Sequence, residues 1–419
     1  MRSVAPLRAI LARAAEGETM RMEQTADADR EGDAAAHERM IETRRALHRL
    51  AEPSHREYET RAFVRAALAS LGLESQSATG KDVHARIDSG RPGPELLIRA
   101  DMDALPIVEQ TGLPFAARNG AMHACGHDGH MAILLELARH LAVRGPAHGA
   151  VTLLFQHAEE VVPGGAEEII STGFLDAFDR VLGFHLWQPF ETGRIHVAPG
   201  AVMSGADQFA LEIVGIGGHA SEPHRTIDPI AAGASAVHQI NAIVGRAVDP
   251  REAVVVGVGS FSAGDACNVI PDSAVLRGSV RYFESRNSIL VERRLRAIAE
   301  GIEAAFGASA RLDYERGEPP LRNDPMFTLE VAAYAAEALG IDAVQEHAPL
   351  MASEDFARYS ALVPSCYLFI GAGSASHPHG HHHPEFDIDE DALLVGFRAL
   401  RRIVERCSDG PGEGLGERE

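Results

Sequence analysis

The side chains best suited to chemistry lie in one segment, RADMDALPIVEQTGLPFAARNGAMHACGHDGH, which covers residues 99–130. The residues of this segment that interest us are the aspartates Asp101 and Asp103, the cysteine Cys125 and the histidines His123, His127 and His130. Thiolate, imidazole and carboxylate groups together are the ligands that Zn²⁺ and other late first-row metal ions prefer. A polar loop whose side chains satisfy one another would explain any one of these residues. The whole cluster indicates a metal site.

Predicted secondary structure places this cluster between a strand and a helix. The apolar run PELLIRA follows a Pro/Gly turn and predicts a buried strand. Asp101 and Asp103 then lie at the carboxyl end of that strand, where open α/β sheets bind their ligands. Cys125 lies in a glycine-containing loop just before MAILLELARHL, whose apolar pattern predicts a helix.

Two further predicted strands end in side chains of the same kinds. The run AVTLLFQHAEE ends at Glu159 and Glu160, and the run RVLGFHLW brings His185 to a strand end. Because side chains alternate along a strand, the two glutamates point in opposite directions, so that one can bind metal while the other faces substrate. A solvated pair of glutamates and a core histidine are the ordinary explanations for such residues. Three strand ends with ligand-type side chains favour one shared site at the carboxyl edge of an α/β sheet.

The pattern of apolar and polar residues changes near Ala206. The segment FALEIVGIGGHASEPH that follows alternates apolar and polar residues, as a β-strand does. The predicted order from there is β-α-β-β-α-β, closing with ARLDYERG, which fits a ferredoxin-like α+β insertion into the α/β domain. We therefore predict five regions: a disordered extension (1–37), the first part of the catalytic domain (38–205), the insertion (206–317), the second part of the catalytic domain (318–407) and a disordered tail (408–419).

Composition excludes several classes of partner. The chain has 419 residues, of which 45% are hydrophobic, and a formal net charge of −21. Such a charge argues against binding to nucleic acid or to an anionic membrane surface, since both require clustered lysine and arginine. The four cysteines lie far apart, which suits a reducing, cytoplasmic compartment. No apolar run reaches the length of a membrane span.

Eight motifs together resemble those of the M20 metallopeptidase family, most closely its amidohydrolase branch of hippurate hydrolases, N-acyl-amino-acid deacylases and auxin-conjugate hydrolases. In chain order the motifs are RADMDALP, MHACGHDGH, FQ-x-AEE, GFHLW, GGHASEPH, NVIPD, SEDF and HHPEFD. The resemblance implies a metal-bearing α/β domain and a smaller α+β lid that also mediates formation of a homodimer. It implies two divalent ions per subunit, of Zn, Mn, Ni or Co, with ligands at Cys125, His127, Glu160, His185 and His382.

The resemblance also implies roles for residues around the metal. Glu159 would be the general base, and Asp103 would orient a metal-bound histidine. His219 would enter the neighbouring subunit's site and stabilise the developing oxyanion, while Asn268 and Arg281 would bind the carboxylate of the substrate.

The histidine-rich tract offers several possible ligands, and position 157 departs from the family motif. The tract HPHGHHHPEFD offers several histidines, and the family motif, in which the ligand lies two residues before the proline, selects His382 over His379, His381 and His383. His157 replaces the proline that usually precedes AEE in the family, which adds a titratable group near the metal ligands.

The expected activity is hydrolysis of the amide bond of an N-acyl-amino acid, which is a small-molecule substrate, to a carboxylic acid and an amino acid. One alternative is a dipeptidase or carboxypeptidase of the same family, although that branch normally supplies aspartate where this chain has a cysteine. Another alternative is a binding protein that keeps the fold without catalysis. Such a protein would be expected to lose Glu159 or a ligand, and this sequence retains them all.

Overall fold

The structure is a computed structural model that describes residues 26–409. The N-terminal part of the chain forms α1 (Ala26–Leu50), α2 (Tyr58–Ser70), β1 (Val83–Asp88), β2 (Glu95–Asp101), α3 (His127–Arg144), β3 (Ala150–Gln156), α4 (Gly165–Ser171), β4 (Arg180–Glu191) and β5 (Ile195–His196). The middle part forms β6 (Gly200–Met203), β7 (Gly205–Val214), β8 (Gly218–His219), α5 (Pro229–Ala247), β9 (Val254–Ser262), β10 (Val269–Ile270), β11 (Ser273–Tyr282), α6 (Ser285–Phe306) and β12 (Ser309–Arg316). The last part forms β13 (Leu321–Asn323), α7 (Pro325–Leu339), β14 (Val344–Gln345), α8 (Ala357–Ser360), β15 (Ser365–Gly373) and α9 (Asp391–Cys407). Within residues 26–409, no helix combines the length and apolar character needed to cross a membrane.

These elements divide into two units. The first contains the chain up to Gly200, Arg322–Ala348 and the chain from Arg358 onwards, and the second contains Ala201–Leu321 and Pro349–Ala357. Our sequence analysis assigned all of residues 318–407 to the catalytic domain, whereas the short segment Pro349–Ala357 joins the second unit. It does so because the main-chain N–H of Ser204 donates to the carbonyl oxygens of Leu350 and Ala352, at 3.0 and 2.9 Å.

A seven-stranded sheet forms the centre of the first unit, in the order β1-β3-β2-β4-β15-β5-β14. Strand β2 is parallel to both β3 and β4, β15 is parallel to β4, and β1 is antiparallel to β3. Strand β3 is buried along its whole length and β2 is buried after its first residue. Strands covered on both faces read as continuous apolar runs, as these two do in the sequence. The carboxyl ends of β2, β3 and β4 therefore meet at one edge of the sheet.

The second unit has a separate sheet and a separate hydrophobic core. Its four strands lie in the order β12-β7-β11-β9, and all neighbours are antiparallel. Along the chain, these strands and the helices α5 and α6 follow the order β-α-β-β-α-β. Side chains from both helices and from the sheet fill the core, among them Leu211, Ile240, Leu276 and Leu295.

Part of the predicted N-terminal extension is helical. Residues 1–25, and residues 410–419 of the predicted tail, lie outside the described residues, but residues 26–37 belong to α1. Ala36 and Met40 are buried in the core of the first unit, and the carboxylate of Asp33 accepts hydrogen bonds from Arg398 and Arg401 of α9. Residues 26–37 therefore belong to a helix, and the hydrogen bonds of Asp33 join this helix to one more than three hundred residues further along the chain.

A buried charge network connects α1 to the start of α3. The guanidinium of Arg44 contacts Asp128 at 3.1 Å and also contacts Asp387 and Glu390. The imidazole of His48 lies 2.8 Å from Asp128 and 3.2 Å from Glu109. Burial alone would lower the pKa of His48, but the hydrogen bonds with Asp128 and Glu109 raise it to about 9. His48 is therefore expected to be an imidazolium in the folded protein at neutral pH.

We expect the His48→Gln substitution to destabilise the metal-free protein most at about pH 6 and least at about pH 10. A histidine whose pKa is raised by folding contributes stability that is complete below its unfolded-state pKa of about 6.5 and is lost as the pH rises through about 9. The difference between these pKa values corresponds to about 3 kcal/mol. Urea unfolding of both proteins across this range measures the effect. A difference in unfolding free energy that stays constant with pH would contradict the assignment.

Candidate metal centre

The carboxyl edge of the first unit's sheet brings together the side chains that the motifs single out. Asp101 ends β2, whereas β3 ends at Gln156, before Glu159 and Glu160, and His185 lies within β4 and not at a strand end as predicted. Cys125 precedes Gly126, whose φ of +88° allows the sharp turn into α3. The predicted ligands His127 and His382 come from the first residue of α3 and from the loop after β15.

Three overlapping groups of potential ligands meet there. Their members are Cys125, His127 and His185 in one group, Cys125, Glu160 and His382 in the second, and His127, Glu159 and Glu160 in the third, and within each group the ligand atoms lie within 4.8 Å of one another. The Sγ atom of Cys125 is 3.5 Å from Nε2 of His185. Oε1 of Glu160 is 3.5 Å from Nε2 of His382 and 3.8 Å from Nε2 of His127. The structure thus brings all five predicted ligands and Glu159 to one place.

The orientation of the two buried histidines fits metal binding. Nδ1 of His127 lies 2.8 Å from the main-chain oxygen of Asp103, and Nδ1 of His185 lies 3.0 Å from that of Leu186. Each ring nitrogen that donates to a carbonyl carries the proton, so Nε2 keeps its lone pair for a ligand position. Nε2 of His127 and Oε1 of Glu160 are shielded from water and have no hydrogen-bond partner among the described residues. A thiol, three imidazoles and a carboxylate arranged in this way suit divalent ions of the Zn²⁺ class.

In the absence of a bound cation, the surroundings of Cys125 disfavour its thiolate form. Burial, together with the carboxylates of Glu160, Glu159 and Asp101, raises the pKa of Cys125 well above its ordinary value. Burial alone would lower the pKa of His127, but Asp101 and other carboxylates raise it to about 10. A bound cation reverses both preferences, since it favours a deprotonated thiol and a neutral imidazole. The negative charge around these groups therefore matches a divalent ion.

Asp103 contacts two of the proposed metal ligands, His127 and Glu160. Its Oδ1 lies 3.4 Å from Nδ1 of His127, and its Oδ2 accepts hydrogen bonds from Oγ of Ser54 at 2.7 Å and from the main-chain N–H of Glu160 at 3.0 Å. One carboxylate thus contacts a ligand histidine and the backbone of the ligand glutamate. This position suits the orienting role predicted for Asp103.

Asp101 and His130 form a further group of potential ligands with His127, but both also make hydrogen bonds within the protein. His130 uses both ring nitrogens, one 2.6 Å from Oδ1 of Asp101 and the other accepting the N–H of Leu186 at 2.9 Å. Asp101 also accepts a hydrogen bond from Arg99 at 2.7 Å. His123 is buried, its ring nitrogens have no hydrogen-bond partner within residues 26–409, and burial lowers its pKa to about 4.

The histidines of the tract HPHGHHHPEFD also differ in their contacts. His382 lies in the ligand group with Cys125 and Glu160. The ring of His381 instead packs against that of Trp187, with centroids 4.4 Å apart, and accepts the main-chain N–H of Gln188 at 3.2 Å. The rings of His379 and His383 stack on each other at 4.2 Å.

One residue near the site could not be found from the sequence. The carboxylate of Glu57 is buried, and its Oε1 accepts the main-chain N–H of Ala158 at 2.8 Å and of His55 at 2.9 Å. Both of these residues adopt left-handed backbone conformations, with φ of +50° and +64°. Glu57 thereby fixes the backbone immediately before Glu159. It belongs to a polar stretch, AEPSHREYET, whose sequence carries no periodic signal.

The other predicted site residues lie in the second unit. His219 on β8 pairs with Val269 on β10, next to Asn268, and both His219 and Asn268 are exposed. Arg281 lies near the end of β11, and one of its guanidinium nitrogens donates to Oγ of Ser353 at 2.9 Å. Arg281 is half-buried, and burial lowers its pKa. Among the described residues it has no carboxylate partner.

Several known proteins are similar to this chain. The profile of Peptidase family M20/M25/M40 matches residues 97–406. An N-acetyl-L-cysteine deacetylase from Bacillus subtilis is 38% identical over 379 residues, covering 89% of each chain. An N-acyl-L-amino acid amidohydrolase from Geobacillus stearothermophilus is 44% identical over 287 residues, covering 68% of this chain and 78% of the relative. The solved structure of the Bacillus subtilis YXEP protein, described as a dinuclear metal-binding peptidase of the M20 family, is similar with a TM-score of 0.76 and 33% identity, covering 89% of this chain and 98% of that one.

Proposed function

The chain belongs to Peptidase family M20/M25/M40 and is a metal-dependent amidohydrolase, and we propose that it cleaves N-acyl-amino acids to a carboxylic acid and a free amino acid. The observation that carries the proposal is the convergence of Glu159 with Cys125, His127, Glu160, His185 and His382 at one sheet edge. Relatives named as an N-acyl-L-amino acid amidohydrolase and a deacetylase support the same substrate class. The unpaired cysteines agree with a cytoplasmic location.

The five convergent ligands would hold two divalent ions of Zn, Mn, Ni or Co. Ions bound there would polarise the amide carbonyl and lower the pKa of water toward neutrality. The ligand atoms of Cys125 and Glu160 each lie within 4.8 Å of more than one other proposed ligand, so both residues would help to hold the ions.

Glu159 would move the proton in this reaction. Its carboxylate lies within 4.8 Å of that of Glu160 and of the ring of His127. The two glutamates therefore do not point in opposite directions as predicted, because β3 ends at Gln156 and strand alternation does not extend to them. As general base it would accept a proton from the attacking water and return it to the leaving amine nitrogen. Glu57 and Asp103 hold the backbone on either side of Glu159, through the N–H groups of Ala158 and Glu160.

The second unit would supply the contacts that recognise the substrate. Arg281, a half-buried guanidinium without a carboxylate partner among the described residues, suits a carboxylate ligand, and Asn268 would bind the same group. Residues 206–317 would then act as a lid and as the dimerisation domain, so that His219 reaches the site of the neighbouring subunit. The main-chain N–H of Ser221 lies 3.2 Å from Nδ1 of His219. This contact keeps the proton of a neutral ring on Nε2, which can donate to an oxyanion.

A substrate and metal panel tests the function. Acetyl-, benzoyl- and indoleacetyl-amino acids would be assayed with Mn²⁺, Co²⁺, Zn²⁺ and Ni²⁺, together with carboxamide analogues and dipeptides. Exhaustive chelation is expected to abolish hydrolysis, and readdition of one of these ions is expected to restore it, because the ligand cluster has no other evident role. Carboxamide analogues should have a raised KM, since they lack the charge that Arg281 would bind. Turnover in metal-free protein, or a clear preference for dipeptides, would contradict the proposal.

A further inference from the structure

We propose that His55, His157 and Glu168 form an additional binding site for a divalent transition-metal ion, separate from the candidate metal centre. Their ligand atoms lie within 4.8 Å of one another, and none of the three belongs to any of the groups described above. Nε2 of His157 is 3.1 Å from Oε2 of Glu168, and Nδ1 of His55 is 4.0 Å from Oε1 of the same residue. Two imidazoles and one carboxylate, with water in the remaining position, are a common ligand set for Zn²⁺.

The fold holds the two histidines in place through strained backbone. His55 has a φ of +64° and Ala158, directly after His157, has a φ of +50°. Non-glycine residues adopt this conformation only where the surrounding structure fixes it, and such strain concentrates at functional sites. Here a single atom, Oε1 of Glu57, accepts the N–H of both residues. The two imidazole centroids are thereby held 5.8 Å apart, next to Glu168.

One ring nitrogen of each of these histidines has no hydrogen-bond partner among the described residues. These atoms are Nδ1 of His55 and Nδ1 of His157, and both are shielded from water. His157 as a whole is 0% exposed. Buried polar atoms nearly always have a partner, so the unpartnered Nδ1 of His55, 4.0 Å from Oε1 of Glu168, points to a missing ligand, to which His157 would offer the Nε2 that lies 3.1 Å from Oε2 of Glu168. Apolar residues at positions 55 and 157 would avoid this cost.

Lys81 is expected to weaken metal binding at this site. Its ammonium group lies 2.8 and 2.9 Å from the two carboxylate oxygens of Glu168, where it takes the place of a cation. Its side chain is 44% exposed, so it can move into solvent with little loss. A metal ion must compete with this ion pair. The site should therefore bind metal more tightly when Lys81 loses its charge.

The test measures metal content rather than activity. The full-length protein is stripped of metal, titrated with Co²⁺ alone, dialysed and analysed for bound cobalt, beside the His157→Asn, His55→Phe and Lys81→Met variants. We expect the wild type to bind one ion more per subunit than either histidine variant. The additional ion should add d–d absorption without a thiolate-to-cobalt band, because this site lacks cysteine. Lys81→Met should bind the additional ion about tenfold more tightly, as expected from the loss of one adjacent positive charge.

Equal cobalt content in the wild type and in a folded histidine variant would overturn the proposal, and so would an unchanged affinity in Lys81→Met. His55 is partly exposed and Lys81 lies at the surface, so these two variants keep the test valid if His157→Asn does not fold. The result does not depend on the substrate. A protein that hydrolyses no N-acyl-amino acid can still bind this ion, and an active enzyme can lack it.

Discussion

Replacement of Glu159 by glutamine is expected to reduce kcat by about a hundred- to ten-thousand-fold, the range typical for loss of a general base. The amide keeps the size and the polarity of the side chain but cannot accept the proton of the attacking water. The five proposed metal ligands remain unchanged, so metal content should stay at the wild-type level. Steady-state kinetics on an N-acyl-amino acid and elemental analysis of the same preparation measure both quantities.

Glu160→Gln is the matched control, because it makes the same chemical change one residue further along the chain. Oε1 of Glu160 lies between Nε2 of His127 and Nε2 of His382, at 3.8 and 3.5 Å. Loss of its charge should reduce metal content together with activity. If Glu159→Gln lost the metal and Glu160→Gln kept it, the two roles would be reversed.

The sequence predicts which side chains converge at the sheet edge because its signals are local. Strands covered on both faces must be apolar throughout, so PELLIRA and AVTLLFQ are recognisable, and the residues that follow them necessarily reach the carboxyl edge of the sheet. The family and the α/β fold predicted from the motifs are confirmed by the match over residues 97–406 and by the similar solved structure. The order of the motifs along the chain predicts both the family and the fold.

Features that depend on distant contacts could not be predicted. Glu57 acts through the backbone N–H of Ala158, about a hundred residues away, and its own sequence surroundings resemble an ordinary polar loop. The helical part of the N-terminal extension depends on Arg398 and Arg401 at the other end of the chain. His130 has the same spacing pattern as a ligand, yet both its nitrogens are used within the protein. Residue type and spacing cannot distinguish such a histidine from a ligand.

The second large effect is expected at His219, whose replacement by alanine should lower kcat by about a hundred- to a thousand-fold, as for loss of one oxyanion donor. Arg281→Ala should instead act mainly on KM, because a carboxylate is bound equally in the substrate and in the transition state. His219 is exposed, and the hydrogen bond from the N–H of Ser221 to its Nδ1 leaves Nε2 as the donor. The two substitutions should therefore be distinguishable by kinetics alone.

Mixing of subunits tests whether His219 acts across the proposed dimer. Glu159→Gln and His219→Ala subunits, each nearly inactive, would be unfolded together and refolded, and the mixed dimer isolated through two different affinity tags. If His219 acts in trans, the His219→Ala subunit, which keeps Glu159, receives His219 from its partner and regains one complete site. A mixed dimer of Glu159→Gln and Glu160→Gln subunits is the control. It should stay inactive, because each site keeps a defect in its own chain. A purified mixed dimer of the first pair that remained as inactive as this control would show that His219 does not act in trans.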